Sequence, residues 1–264
     1  MAETKNQDQK HFVLVHGLCH GAWCWFKLKP QLESSGHRVT LLDLSASGVN
    51  MKPIHDVPTF EEYSRPLLAF LASLNEPAIV VGHSLGGMNL ALAMDLFPHK
   101  ISVGVFLTAF MPDTIHQPSY VIDKCLAGGS EETIPSDFEA VTIGSPEAPF
   151  TIRTMGPNFL AHQLYQLSPV EDLELAKTLM RPGSLYEHDL SKVKNFSDQG
   201  YGSVTRVFVV CDEDKAIKLE HQRWMIHNNP PQAVMEISGA DHMPMLSKTK
   251  QLCDILLEIA DRHA

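Results

Sequence analysis

Short apolar runs rich in branched residues recur along the chain: HFVLVH (11–16), RVTLLDL (38–44), AIVVG (78–82), ISVGVFLTAF (101–110), VTRVFVV (204–210) and QAVMEIS (232–238). Runs of this length, without polar alternation, suit strands buried on both faces. Between them the apolar positions shift to helical spacing, in FEEYSRPLLAFLASL (60–74), GGMNLALAMDLF (86–97) and KTKQLCDILLEIADRH (248–263). The last of these sets Leu252, Ile255, Leu256 and Ile259 on one stripe. Strand alternating with helix predicts an α/β fold, a mostly parallel, doubly wound sheet with helices on both faces.

One stretch breaks the alternation. From about Met111 to about Glu187, Pro, Gly and Ser recur, and helical patterns such as NFLAHQLYQL and VEDLELAKTLM appear without good strands. An insertion this long and this rich in helix formers is not a plain loop; it predicts a mostly helical cap over the sheet's C-terminal edge, where doubly wound folds place ligands. The expected layout is a core of residues 1–110 and 188–264 carrying a cap subdomain of residues 111–187.

At VVGHSLGG (80–87) the pattern acquires chemistry. Gly82-His83-Ser84-Leu85-Gly86 is a G-x-S-x-G pentapeptide. Alone it is weak, since about one chain of this length in ten would hold it by chance. Between a buried strand and an apolar helix it marks a sharp strand-to-helix turn that lifts a serine hydroxyl above the sheet. Such a hydroxyl is a poor nucleophile until a base takes its proton.

On this fold the partners follow the serine in the order acid, then histidine, each after a strand. ISGADHMPML offers His242 just past the last expected strand, and the only later histidine, His263, sits at the end of the last helix. VFVVCDEDKAI offers Asp212, Glu213 and Asp214; Asp214 lies deeper in the loop and Asp212 is the alternative. Asp241 is expected in solvent or on local backbone, because its side chain should point away from that of His242. Two N–H donors for a developing oxyanion should come from Leu85, after the serine, and from Leu18 in VHGLCHGAW, where Gly17 keeps the hole open. His16 and His83 are expected to hydrogen-bond structurally beside the site.

Composition narrows the partners. With 21 Lys+Arg against 31 Asp+Glu the chain carries a net charge of −10, which repels nucleic acid and anionic membranes. The polar start MAETKNQDQK and the lack of a long apolar run point to a soluble, cytoplasmic protein. The five cysteines form no CxxC pair and no zinc spacing, so they read as reduced, mostly buried thiols.

HFVLVHGLCHGAWCWFKL, GHSLGG, FMPD, SPVEDLELAKTLMRPGSL, YGSVTRVFVVCDEDK and GADHMPMLSK together resemble the plant methylesterase family of the α/β hydrolases over nearly the whole chain. That family includes methyl salicylate and methyl jasmonate esterases, polyneuridine-aldehyde esterase and hydroxynitrile lyases. The resemblance implies a triad of Ser84, His242 and Asp214, oxyanion donors at Leu18 and Leu85, and substrate contact by Gly17, Phe110 and Met243. It implies no cofactor, and a homodimer. The lyases resemble one another in having threonine in place of Gly17 and lysine in place of Met243; here both positions are of the esterase type. Related decarboxylases lack the nucleophile, which Ser84 supplies here. The expectation is therefore hydrolysis of a carboxylic ester, the methyl ester of a small plant metabolite, with a hydroxynitrile lyase or a non-catalytic small-molecule receptor as the alternatives. Within the cap, Phe138, Phe150, Met155, Phe159, Leu160 and Leu164 could line the pocket or fill the cap's own core. The segment VIDKCLAGGSEETIPSDF (121–138) departs most from the family.

Overall fold

In the computed structural model, which describes residues 9–127 and 137–264, all six expected strands form. They are β1 (His11–Val15), β2 (Arg38–Leu42), β3 (Ala78–His83), β4 (Ile101–Leu107), β7 (Arg206–Cys211) and β8 (Ala233–Ile237). The sheet order is β2-β1-β3-β4-β7-β8, and every pairing is parallel. From β1, next to the edge, the chain steps outward to the edge strand β2, then returns past β1 to β3 and winds the other way. β1 and β3 therefore lie side by side where the winding reverses, with Val15 opposite Gly82, and their C-terminal loops flank the crevice in which such sheets bind ligands.

Strand side chains alternate between two apolar layers. Val13, Val15, Val80, Phe208 and Val210 face a layer completed by α2 (Phe60–Ser73), α3 (Gly86–Leu96) and Met225 of α8 (Leu219–Asn228). Phe12, Leu14, Ile79, Val81, Val207 and Val209 face the other, against α1 (Leu28–Ser34) and α10 (Thr249–His263). The stripe Leu252, Ile255, Leu256 and Ile259 is buried there, which is why the last helix was readable from its spacing. By contrast α8 fully buries only Gln222 and Met225 of LEHQRWMIHN, and so carries little periodicity. All five cysteines are free, four of them buried. No helix among the described residues is long and apolar enough to cross a membrane.

The segment between β4 and β7 holds α4 (Ser119–Ala127), α5 (Pro157–Phe159) running into a wide turn at 160–164, α6 (Val170–Leu179) and α7 (Glu187–Leu190). It also holds an antiparallel hairpin, β5 (Phe138–Ser145) with β6 (Ala148–Met155), in a stretch expected to lack good strands. β5 is exposed over nearly all its length, so its pattern lacked the apolar run that marks the central strands. The hairpin is anchored by its partners instead. Phe138 stacks on Phe159 with ring centroids 4.6 Å apart, and Arg153 exchanges main-chain hydrogen bonds of 2.7 and 3.0 Å with Gly183. Of the segment 121–138 singled out above, residues 128–136 lie outside the described residues.

Candidate active site

Ser84 stands between the end of β3 and the start of α3 with φ +54°, a left-handed backbone that non-glycine residues adopt at a cost. Its neighbours hold it there. The Ser84 N–H donates to the Leu107 carbonyl (3.4 Å), and the Ser84 carbonyl accepts from the N–H groups of Gly87 and Phe110, both at 3.1 Å. The flanking glycines answer to close approach: a Cβ at Gly82 would lie 2.4 Å from the Gly86 carbonyl oxygen, and one at Gly86 2.7 Å from that of His16.

The loop after β8 carries His242, and the loop after β7 carries Asp214. His242 Nδ1–H donates to Asp214 Oδ2 at 2.7 Å, with both side chains buried. The second oxygen, Oδ1, accepts from the N–H groups of Ala216 (2.7 Å) and Ile217 (2.9 Å). The hydroxyl of Thr108 also donates to Oδ2. Thr108 was missing from the sequence reading; it sits past β4 with φ +35°, and only its place beside the serine turn hints at a role. His83 Nε2–H donates to the His242 carbonyl at 2.7 Å, fixing the backbone of the imidazole-bearing loop.

The other acids are accounted for. Asp212 accepts from Ser238 Oγ (2.9 Å) and the Gly239 N–H (2.6 Å), away from the imidazole. Asp241, expected in solvent or on local backbone, does bind local backbone but is fully buried. One of its oxygens accepts locally from the Met243 N–H and Ser247 Oγ, the other from the Leu167 N–H and Ser168 Oγ of the inserted segment. Burying a carboxylate is tolerable here because four donors replace its hydration.

Ser84 and His242 line one cavity of about 170 Å³, together with Leu18, Phe110 and Ile217 from the core and Phe138, Met155, Phe159 and Leu164 from the insertion. Gln163, Lys215, Lys218 and His221 add polar groups to an otherwise apolar wall. No hydrogen bond joins Ser84 Oγ to His242 in this structure; in unliganded hydrolases such contacts are often long and tighten around substrate. Roomier grooves lie elsewhere among the described residues, the widest two beneath β8 and α10 and at the N-terminal edge of the sheet, and none of them is lined by Ser84 or His242. Four of the six cap side chains singled out line the cavity. Leu160 is core, and Phe150 packs on Tyr186 at 5.6 Å between centroids. Met243, expected to touch substrate, is fully buried behind the wall, because the turn of α9 (Pro244–Ser247) directs it into the α1/α10 layer.

Among the described residues neither the Leu18 N–H nor the Leu85 N–H finds an acceptor. The Gly17–Leu18 peptide is held from its other side, where the Gly17 carbonyl accepts from His16 Nδ1–H (2.8 Å) and the His20 N–H (3.3 Å). His16 Nε2 accepts from the Leu44 N–H at 3.2 Å, so the proton is on Nδ1. Burial keeps His16, His20 and His83 neutral; it lowers the pKa of His16, takes that of His20 down to about 3, and pulls that of His83 well below the ordinary 6.5. No group of three or more His, Cys, Asp or Glu side chains among the described residues could hold a metal ion.

Residues 12–255 match the alpha/beta hydrolase family. The chain is 57% identical to Methylesterase 1 of Arabidopsis thaliana, covering 99% of each chain, and 51% identical to Salicylic acid-binding protein 2 of Nicotiana tabacum, covering 97% of this chain and 99% of that one. The crystal structure of polyneuridine aldehyde esterase superposes with a TM-score of 0.92 at 48% identity, over 96% of this chain and all of that one. The chain therefore belongs to the alpha/beta hydrolase family, in the branch of the plant methylesterases, and is an enzyme of the carboxylesterase class.

Proposed function

We propose that the enzyme hydrolyses the methyl ester of a small, largely apolar carboxylic acid through an acyl-enzyme on Ser84. The observation that supports this reading is that Ser84, Leu18 and His242 line one cavity, with His242 paired to Asp214 behind it and the amides of Leu18 and of Leu85, next along the chain from Ser84, both unspent. At about 170 Å³ the space is below the roughly 300 to 1,000 Å³ of sites for drug-sized ligands, which supports a compact acyl group.

In this mechanism His242 Nε2 takes the Ser84 proton as Oγ attacks the ester carbonyl. The carbonyl oxygen becomes an anion and accepts from the Leu18 and Leu85 N–H groups. Donors placed in advance favour the transition state over the planar ester, which is how they accelerate the reaction. His242 returns the proton to the departing methoxide and methanol leaves. A water molecule, deprotonated by the same imidazole, then releases the acid and restores Ser84. Asp214 holds the ring in the tautomer that leaves Nε2 free and stabilises the imidazolium. Residues 111–187 act as the cap over a core of residues 1–110 and 188–264. The enzyme is read as a cytoplasmic homodimer needing no cofactor, which sedimentation and a fluorescent fusion test.

Purified protein offered methyl salicylate, methyl jasmonate, methyl indole-acetate and an alkaloid methyl ester should release acid from at least one, and Ser84→Ala should abolish that release. Mandelonitrile tests the lyase alternative, against which the uncharged Met243 and the open Gly17 speak. Binding without turnover of any ester would favour a receptor.

A further inference from the structure

Four consecutive residues of the insertion touch three of the four loops that bear the proposed catalytic groups, all but the Ser84 turn. The Tyr165 hydroxyl donates to His20 Nε2 (2.7 Å), and His20 Nδ1–H donates to the Leu18 carbonyl (2.8 Å), so this contact reaches the loop of the oxyanion amide. Gln166 Nε2 donates to the carbonyl of Glu213, the residue before Asp214, at 2.7 Å. The Leu167 N–H (3.0 Å) and Ser168 Oγ (2.8 Å) donate to Asp241, the residue before His242. The segment is itself a closed turn, with the Ser168 N–H on the Tyr165 carbonyl at 3.0 Å. Its neighbours Gln163 and Leu164 line the cavity, whereas none of the four does.

We propose that the turn 165–168 is a positioning clamp: it sets the spacing of the Leu18, Asp214 and His242 loops, and so couples the seating of the cap to catalytic geometry. The loops come from β1, β7 and β8, and the first is separated from the other two in the sheet by β3 and β4. They meet this one turn through the His20 imidazole, the Glu213 carbonyl and the Asp241 carboxylate, and Asp241 joins the turn to the imidazole loop by sharing its two oxygens between them. Displacement of reacting groups by an ångström costs up to about 10²-fold in rate, so a part-loosened clamp should act on kcat. Because the turn does not contact the cavity, KM should stay near its original value. The inference rests on the Ser84 reading above.

The test compares Tyr165→Phe, Ser168→Ala, the double variant Gln166→Ala/Ser168→Ala, the conservative Ser168→Thr, and Thr178→Ala, which removes a hydroxyl bond elsewhere in the same insertion. The double variant should lose roughly tenfold in kcat with KM unchanged, and Ser168→Thr should retain activity. Thr178→Ala should match the parent. The downfield proton resonance of His242 Nδ1–H should broaden in the double variant through faster exchange with water. Unchanged kcat, a rise in KM alone, or an equal loss in Thr178→Ala would overturn the clamp. The resonance judges the clamp independently of turnover: should Ser84→Ala still hydrolyse the ester, the ester reading would fall, while a resonance unaltered in the double variant would remove the clamp by itself.

Discussion

Replacing Gly17 with alanine adds one methyl group directly against the Ser84 turn. Its Cβ would lie 2.8 Å from Ser84 Cβ, 3.2 Å from His83 Nδ1 and 3.3 Å from the His83 carbonyl oxygen. Gly17 does not have a left-handed backbone, so alanine brings no φ strain and the effect is purely steric. Ser84 cannot retreat, because its N–H and carbonyl are tied to Leu107 and Phe110. The Gly17–Leu18 peptide must move instead, pulling against His16 and the His20 N–H and turning the Leu18 N–H away from the cavity. Overpacking of this kind costs about 1–3 kcal/mol of stability. Misdirecting one oxyanion donor costs about 10² to 10³ in kcat, with KM little changed because the donor acts on the transition state. Steady-state kinetics on the best ester, paired with thermal denaturation, separate the two terms. A melting point that falls while kcat stays within about twofold of the parent would refute the placement of the oxyanion amide at Leu18.

Further substitutions and a pH series sample other parts of the account. Asp214→Asn should keep the fold and lower kcat by about 10⁴, as for the equivalent change in a serine protease triad, whereas Asp212→Asn should cost about 1 kcal/mol in denaturant titration and leave kcat alone. Thr108→Val removes a hydroxyl donor to the buried Asp214 carboxylate and should destabilise by about 1.5–3 kcal/mol, measured by urea unfolding, with a fall in kcat. Stability should decline as pH falls below about 6.5, since His16, His20 and His83 stay neutral when folded but charge when unfolded, so the unfolded chain binds more protons; each contributes up to about 1.4 kcal/mol per pH unit. Melting points from about pH 7.5 to about pH 5 should be level at the top and fall below 6.5, less steeply in His20→Gln, and a flat profile would contradict the buried-neutral assignment.

The central strands and the last helix were legible because their side chains alternate between two apolar layers or form one buried stripe. The Ser84 turn was legible for a different reason: its glycines are required by main-chain contacts that any sequence making this turn must respect. The exposed hairpin 138–155 escaped notice because it buries little and is held by Phe159 and Gly183, residues outside its own two strands. Thr108 and Asp241 were harder still. A threonine after a strand and an acid beside a histidine carry no local mark; their roles exist only once β4 meets the loop after β7 and the insertion folds back on the loop after β8. Met243 illustrates the reverse, since the family resemblance suggested a cavity contact that the turn of α9 prevents.

The claim beneath all of this is that Ser84 becomes acylated. Rapid acid quench of the enzyme during turnover of its best ester, followed by mass spectrometry of the peptide spanning the serine turn, tests it directly. The account expects a transient mass increase equal to the acyl group on Ser84, absent from Ser84→Ala. Acid release at the full rate from a chain whose Ser84 peptide never gains that mass, or from Ser84→Ala itself, would contradict it.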